Sequence, residues 1–425
     1  MVTTNAGPRV VITGVGIVSP VGIGTEAFSA ALANGTSGVR TVEAFSAKAL
    51  PVQFAGEVRG FDPKQHIKAR KSLKLMSRDI ELGVAAANMA MEDAGIETGQ
   101  VAAERLGVGF GADMLRTTPE DLSAAVRACF DDQGRFEFDR WATDGMPEVF
   151  PLWMLRYLPN MPACHIAIIH EARGPNNTIT SAEVSALQAV AEATRVIQRG
   201  VADVMIAGAA SSRVQPLQMT RSCVVGELSR RNDDPAGACR PFDVDRDGMV
   251  IGEGAAAFVL ERYDDAVAAG RRIYGEVLGL GQTFNLASPQ EGFARAVARA
   301  LAEAGLTPEQ IGHVNAHGES TRRGDCLEAE GLSRALGRAA AHVPVTAPKS
   351  FFGNSGAGSG AMELAASLMA LEADAVPATL NFQRADPQCT LNVVHGEPLK
   401  GRPTTALCVN RTSYGQSAAV VVGRV

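Results

Sequence analysis

Three short stretches of this sequence carry side chains able to do chemistry. The first, Gly174-Pro175-Asn176-Asn177-Thr178-Ile179-Thr180-Ser181-Ala182-Glu183-Val184-Ser185-Ala186-Leu187, reads as a strand end turning into a helix. Leu187, Val190, Ala191 and Thr194 recur at helical spacing up to a stop at Gly200, which places Glu183 in the first turn. Backbone N–H groups point outward there, and the helix dipole favours a negative charge or an anionic nucleophile. A competing reading needs no chemistry: Thr180-x-x-Glu183 ahead of an apolar run is a capping box, with the glutamate returning to the N-cap amide. The second stretch, Val314-Asn315-Ala316-His317-Gly318, sets a histidine just past a short strand, where α/β proteins gather ligand-binding groups. The third, Pro348-Lys349-Ser350-Phe351-Phe352-Gly353-Asn354-Ser355-Gly356, is a Gly/Ser-rich turn bearing Lys349 and Asn354 and entering a helix that holds Glu363.

Strands and helices in alternation must position these groups. A β-branched run at 9–22 ends in glycines and predicts a buried strand and turn, followed by a helix over 25–33. Leu75, Leu82, Ala86, Met89 and Ala90 predict one amphipathic helix over 71–94, closed by Gly95, with a buried strand at 106–111 after it. The stretch 117–162 is less periodic, carries Trp141 and Trp153, and reads as an insertion covering a pocket or a partner surface. Strands at 202–210 and 254–260 complete a βαβ rhythm with helices on both faces of a sheet. A polar helix at 263–270 follows. The segment 274–281 then repeats the glycine spacing of the opening strand, so the second half is expected to repeat the first. Helices at 292–304, 326–336 and 360–371 and strands at 313–316, 406–411 and 418–422 fill that half.

Composition removes several function classes. The 425 residues are 46% hydrophobic and 20% charged, ample for a large core, and the net charge of −6 comes with no basic stripe for nucleic acid. No run is long enough for a membrane span, and Met1-Val2-Thr3-Thr4-Asn5 lacks the charged and apolar regions of a leader, which makes the cytoplasm the expected compartment. The seven cysteines are scattered without a C-x-x-C, so neither a disulfide framework nor a zinc site is expected. Gly14-x-Gly16 does not extend to a dinucleotide fingerprint. Asp243-x-Asp245-x-Asp247-Gly248 resembles the start of a calcium loop, but the twelfth position is Gly254 and a strand follows. No cofactor and no metal is implied, although His317, Glu183 and Glu319 together form a conceivable metal set.

Taken in order, these segments resemble the β-ketoacyl-acyl-carrier-protein synthases of the thiolase superfamily, in their elongating branch. The resemblance runs almost end to end and is carried by Val11-Ile12-Thr13-Gly14-Val15-Gly16, Arg173-Gly174-Pro175, Ala202-Asp203-Val204-Met205-Ile206-Ala207-Gly208, Arg240-Pro241-Phe242-Asp243 with Arg246-Asp247-Gly248, Asn315-Ala316-His317-Gly318 and Lys349-Ser350. It implies an α/β, thiolase-like fold of two pseudo-repeated βαβαβ halves in five layers (α-β-α-β-α), divided as 1–265 and 266–425. It further implies acyl carrier protein or an acyl thioester as partner, and either a homodimer or a heterodimer with an active synthase.

In that family a cysteine at the start of the central helix attacks an acyl thioester, helped by the helix dipole. The matching position here is Glu183. The first family histidine matches His317 and the second falls on Asn354, which is able to hold a thioester carbonyl beside His317. Lys349, Glu363 and Asp325 match the lysine, glutamate and aspartate whose implied role is to orient the histidine and its loop. Glu319 stands where a threonine bonds the pantetheine arm, Thr321 retains the second such threonine, and Ser413-Tyr414-Gly415-Gln416 replaces a phenylalanine- and glycine-rich gate.

A carboxylate is a poor acyl acceptor, because water cleaves the mixed anhydride it would form. Ionised, Glu183 would also repel a malonyl carboxylate at about 4–5 Å by about 3–4 kcal/mol at an effective dielectric near 20. A like-charge pair with Glu319 would keep one of the two acids neutral. Three functions follow. One is a chain-length-factor-like or acyl-recognition subunit unable to condense alone. Another is a malonyl-thioester decarboxylase using His317 and Asn354 with a protonated Glu183. The last is a non-catalytic interaction protein with a capped Glu183 and a collapsed pocket.

Overall fold

The computed structural model describes residues 7–114 and 117–425, so Met1 to Asn5, read as lacking the features of a leader, lie outside the described residues. The strands that carry the architecture are β1 (Val10–Ser19), β2 (Leu106–Ala112), β3 (Asn176–Ile179), β4 (Val204–Ser212), β5 (Glu253–Arg262), β6 (Gly275–Phe284), β7 (His313–Asn315), β8 (Pro344–Thr346), β9 (Thr405–Arg411) and β10 (Gln416–Gly423). The helices that form its layers are α1 (Arg78–Asp93), α2 (Met161–Ile169), α3 (Ser185–Gln198), α4 (Pro289–Ala304), α5 (Arg322–Leu336) and α6 (Ala357–Glu372).

The strands hydrogen-bond in the order β8-β7-β9-β10-β6-β1-β5-β4-β2-β3 within a 12-stranded sheet. Its two halves have one topology. In the first, β1 runs antiparallel to β5, β5 to β4, and β4, β2 and β3 are parallel. In the second, β6 runs antiparallel to β10, β10 to β9, and β9, β7 and β8 are parallel. Within this sheet the halves join where Val11 pairs Glu276 and Ile12 pairs Gly275. This is the expected pseudo-repeated thiolase-like fold.

Three cores separate the layers. Residues of α1 and α2, among them Leu82, Ala86 and Ile166, pack with Val108 of β2 on one face of the first half. Phe293, Val297, Leu332 and Val314 join α4 and α5 to one face of the second half. Between the halves, α3 and α6 share a core with β1, β4, β5, β6, β9 and β10, including Leu187, Val190, Met362, Ile12, Met205 and Val420. The helix α6 is buried from Ala357 to Leu371, as its small and apolar residues on every side require of a helix in a middle layer.

The repeated glycines have a packing cause. A Cβ on Gly14 or Gly16 would land on the Ala90 or Ala86 carbonyl of α1, and one on Gly279 or Gly281 on the Ala300 or Ala296 carbonyl of α4. The glycines therefore let an outer helix lie directly on the first strand of each half.

One sequence expectation needs correction. The helix expected over 71–94 begins at Arg78; Ser72–Leu75 is a separate 3₁₀ turn, and Ser77 in extended conformation breaks the run. The stretch 117–162, expected as an insertion of low periodicity, holds the helix Pro119–Ala128 and then short turns up to the start of α2. It roofs a cavity of about 90 Å³ with Thr118, Arg156 and Tyr157. It also leaves Phe136, Phe138, Met146, Phe150, Leu152 and Met154 exposed.

Candidate active site

In the first half the chain leaves β3 and turns through Ala182, whose φ of 50° lies in the left-handed region that a Cβ disfavours. A 3₁₀ turn, Ala182–Val184, carries Glu183 ahead of α3. The expected capping box does not form. No side chain caps this turn, the Ser181 amide donates to Ser185 Oγ at 2.8 Å, and Glu183 points elsewhere. Its Oε1 accepts from Arg213 Nη2 at 2.9 Å.

Arg213 follows β4 directly. The same nitrogen lies 3.5 Å from Asp113 Oδ2, just beyond β2, and Nη1 lies 3.3 Å from Asn354 Oδ1. Asp113 in turn accepts from Ser211 Oγ at 2.8 Å. Burial works against ionisation of Glu183, but the Arg213 guanidinium outweighs it and holds the carboxyl below its usual range. Glu183 is thus an anion in an ion pair.

In the second half His317 is buried and held by its backbone as well as its ring. The His317 and Gly318 amides donate to the two Glu328 carboxylate oxygens at 2.6 and 2.8 Å. Asp325 accepts from the Glu319 and Ser320 amides at 3.1 Å each, and from the Phe242 amide at 2.8 Å. The three protons of Lys349 Nζ go to Glu363, to the His317 carbonyl at 2.7 Å and to His317 Nδ1 at 3.1 Å. Asn410 Nδ2 bonds Glu363 Oε2 at 2.6 Å and lies 3.3 Å from the same ring nitrogen.

Because both neighbours of Nδ1 are donors, that nitrogen is the acceptor and the proton sits on Nε2. Burial, and then the Lys349 charge, lower the His317 pKa to about 4, so the ring is neutral. Its Nε2 faces Glu319 Oε2 at 3.6 Å, longer than a good hydrogen bond. Glu319 Oε1 accepts from Arg411 Nη2 and Thr321 Oγ1, both at 2.9 Å. Burial opposes a charge on Glu319, and Arg411 first, then His317 and Thr321, drive its carboxyl far below the usual range. Thr321 is the N-cap of α5, where its hydroxyl also accepts from the Gly324 amide at 3.1 Å.

Two expectations therefore fail on one cause. Glu183 and Glu319 do not share a proton, because each has its own arginine. A protonated Glu183, the premise of malonyl decarboxylation, is replaced by an ionised one. The calcium-like acids diverge as well: Asp243 takes the Asp245 amide, Asp245 pairs Arg384 and Asp247 pairs Arg231.

A cavity of about 440 Å³ opens at Glu183, walled by Ala182, Arg213, Met249, Ile251 and Tyr414 among others. The pocket is not collapsed. Of the expected site residues, Glu183 and Tyr414 line it. His317, Asn354, Thr321, Lys349, Asp325 and Glu363 are buried and Glu319 is partly buried; none of these seven is among its walls. The Asn354 side-chain carbonyl is also occupied, accepting from the Gly356 amide at 2.9 Å.

Sequence reasoning missed Arg213, Arg411, Asn410, Asp113 and Glu328. The spacing Asp325-x-x-Glu328 at the start of a helix was a usable signal, since it sets two acids on one inward face near the positive helix end. Arginines at strand ends carry no such signature.

The chain matches the family described as Beta-ketoacyl synthase, N-terminal domain, over residues 8–266, and Beta-ketoacyl synthase, C-terminal domain, over 275–383. It is 38% identical, over 385 residues and 89% of each chain, to 3-oxoacyl-[acyl-carrier-protein] synthase 2 of Vibrio cholerae serotype O1. Among solved structures it resembles the ishigamide ketosynthase/chain length factor, with a TM-score of 0.87, 28% identity, and 99% of this chain and 100% of that chain covered. It also resembles a chain from a type II polyketide synthase acyl-carrier protein in complex with its ketosynthase bound to the hexaketide, with a TM-score of 0.85, 26% identity, and the same coverage.

Proposed function

The chain belongs to the beta-ketoacyl synthase family, and we propose that it serves fatty acid or polyketide synthesis as a non-condensing, chain-length-factor-like subunit. In this reading Glu183 stands where the family's nucleophilic cysteine belongs, and the chain shapes or recognises a carrier-bound acyl chain beside an active synthase.

The observation that carries the reading is the Glu183–Arg213 ion pair at the cavity wall. A carboxylate whose oxygen accepts from a guanidinium is a weaker nucleophile than a free one, and any anhydride it formed would be cleaved by water. The Nε2–H of His317, a group that would polarise a thioester, faces Glu319 instead. The open cavity beside Glu183 and Tyr414 supports recognition of an acyl chain rather than a purely structural role. The full-length likeness to a ketosynthase/chain length factor supports it too.

The roles assigned follow from these contacts. Lys349 and Glu363 orient His317, Asp325 orients the Glu319 loop, Asn354 steadies Arg213, and Tyr414 guards the cavity mouth. Glu319 and Thr321 close the approach to His317. Residues 1–265 and 266–425 form the two halves, the carrier protein delivers the acyl group in the cytoplasm, and the chain pairs with an active synthase in preference to itself.

Native mass measurement of the chain isolated from its source cell tests the pairing, with a cysteine-bearing synthase as the expected companion. Incubating the purified chain alone with acyl- and malonyl-carrier protein is expected to give no β-ketoacyl product. A homodimer that condenses by itself would overturn the reading.

A further inference from the structure

A second cluster lies outside this site. Cys326, on α5, and Cys389, in the loop after Asp386, place their sulfurs 3.7 Å apart although 63 residues separate them. With Asp386 they form a set whose ligand atoms lie within 4.8 Å of one another, the spacing of a metal site.

The set already faces a fixed cation. Arg246 Nη1 donates to Asp386 Oδ2 at 2.7 Å, and Nη2 donates to Cys326 Sγ at 3.3 Å and lies 3.7 Å from Cys389 Sγ. The guanidinium is itself locked in place by the carbonyls of Asp243, Thr321 and Arg322. A metal ion would have to share this centre with a buried positive charge, which Coulomb repulsion disfavours. A thiolate, by contrast, is the species a neighbouring guanidinium stabilises.

The two thiols differ in access. Cys326 is partly exposed, whereas Cys389 is 3% exposed and burial pushes its thiol well up. Cys326 is placed to react first and Cys389 to resolve.

We propose that Cys326 and Cys389 are a redox-active dithiol, oxidised by a peroxide to an intrachain disulfide. The Cys326 thiolate attacks a peroxide oxygen: an S–O bond forms, the O–O bond breaks, and the leaving hydroxide takes up a proton as water. Cys389 sulfur then attacks the sulfenic sulfur: the S–S bond forms, the S–O bond breaks, and a second water leaves with the Cys389 proton. Two electrons pass from the thiols to the peroxide. The product ties the loop carrying Asp386 and Cys389 to α5, which Arg246 also links to the Thr321 and Arg322 carbonyls.

The test is hydrogen peroxide titration of the full reduced chain, followed by alkylation and non-reducing peptide mapping. The expected result is a dominant Cys326–Cys389 peptide, formed at about tenfold less peroxide than is needed to consume the partly exposed Cys164 and Cys223. Cys389→Ser is expected to stop at a dimedone-trappable sulfenic acid on Cys326, and Arg246→Lys to slow alkylation of Cys326 severalfold. Should Arg246→Lys fail to fold, the Cys389→Ser chain decides. Three results would each overturn the proposal: thiol loss without that cross-link, Cys326 reacting no faster than Cys164 and Cys223, or stoichiometric zinc in the isolated protein.

Discussion

The two halves of the fold place an arginine in the same position and use it differently. Arg213 follows β4 and Arg411 ends β9, the equivalent strand, and each clasps a carboxylate. The first pair sits at a cavity wall, with side chains 19% and 14% exposed, and serves two acids, Glu183 and Asp113. The second closes over a sealed network in which His317, Lys349 and Glu363 are at most 1% exposed. The contrast teaches that one fold can hold a charge where a cavity opens onto it and another where it lies against a buried network. It also locates strain: Ala182 beside Glu183 and Ser320 beside Glu319 both adopt positive φ, 50° and 67°, so each half bends its chain tightly to present a carboxylate.

The sealed half should be the more fragile. Lys349→Met leaves the Glu363 charge buried and uncompensated, with an expected loss of about 3–5 kcal/mol in urea unfolding. Lys349→Met combined with Glu363→Leu should regain most of it. A loss under about 1 kcal/mol for the single variant would remove the distinction between the halves.

His317 gives the next effect. Its folded pKa of about 4 lies below the ordinary 6.5, so between these values the unfolded chain binds the extra proton. Its contribution is therefore constant above pH 6.5 and is lost as pH falls towards 4, by up to about 1.4 kcal/mol per pH unit. Imidazole ¹⁵N shifts should report a neutral Nε2–H ring down to about pH 5. His317→Asn should remove one histidine's share of that slope, with His170 and His313, also held near 4 by burial, keeping theirs; an unchanged curve would contradict the assignment.

Arg213→Ala should cost less, about 2 kcal/mol, because the cavity admits water to the stranded Glu183. The sign with pH is opposite to that of a raised acid. Since the Glu183 carboxyl is depressed from 4.5 in the fold, its contribution is complete above that value and disappears as pH falls through the folded one. Wild type and variant should thus converge in acid, and carboxyl ¹³C titration should show Glu183 moving upward in the variant.

The smallest change is chemical rather than structural. A thiol introduced by Glu183→Cys, beside Arg213, should alkylate with a pKa about one unit below the ordinary 8.5. It should give no condensation by the chain alone, because the His317 ring still faces Glu319. Full synthase activity in that single variant would place both halves in the same functional class.

Much of the fold was legible in the residues. Gly14, Gly16, Gly279 and Gly281 announced a repeat, and the residues from Gly360 to Leu371 announced a helix, whose burial on every side only the structure revealed. The helix start at Arg78 was missed because apolar spacing continues across Ser72–Leu75, while the break is a backbone event at Ser77 that periodicity does not record. In the site, motif order located Glu183, His317, Lys349, Asn354 and Glu363 but left their partners unknown.

What the sequence determined by itself is the alternation of strands and helices and the repeat between its halves, which follow from local spacing of glycines, apolar residues and turns, together with the site positions that the order of its family-like motifs implies. What only the tertiary structure decided is the charge on those positions. Glu183 is ionised because an arginine 30 residues away reaches it, and Glu319 because another does so from 92 residues away. Electrostatic energies fall with distance through space and not along the chain, so no local pattern could assign them.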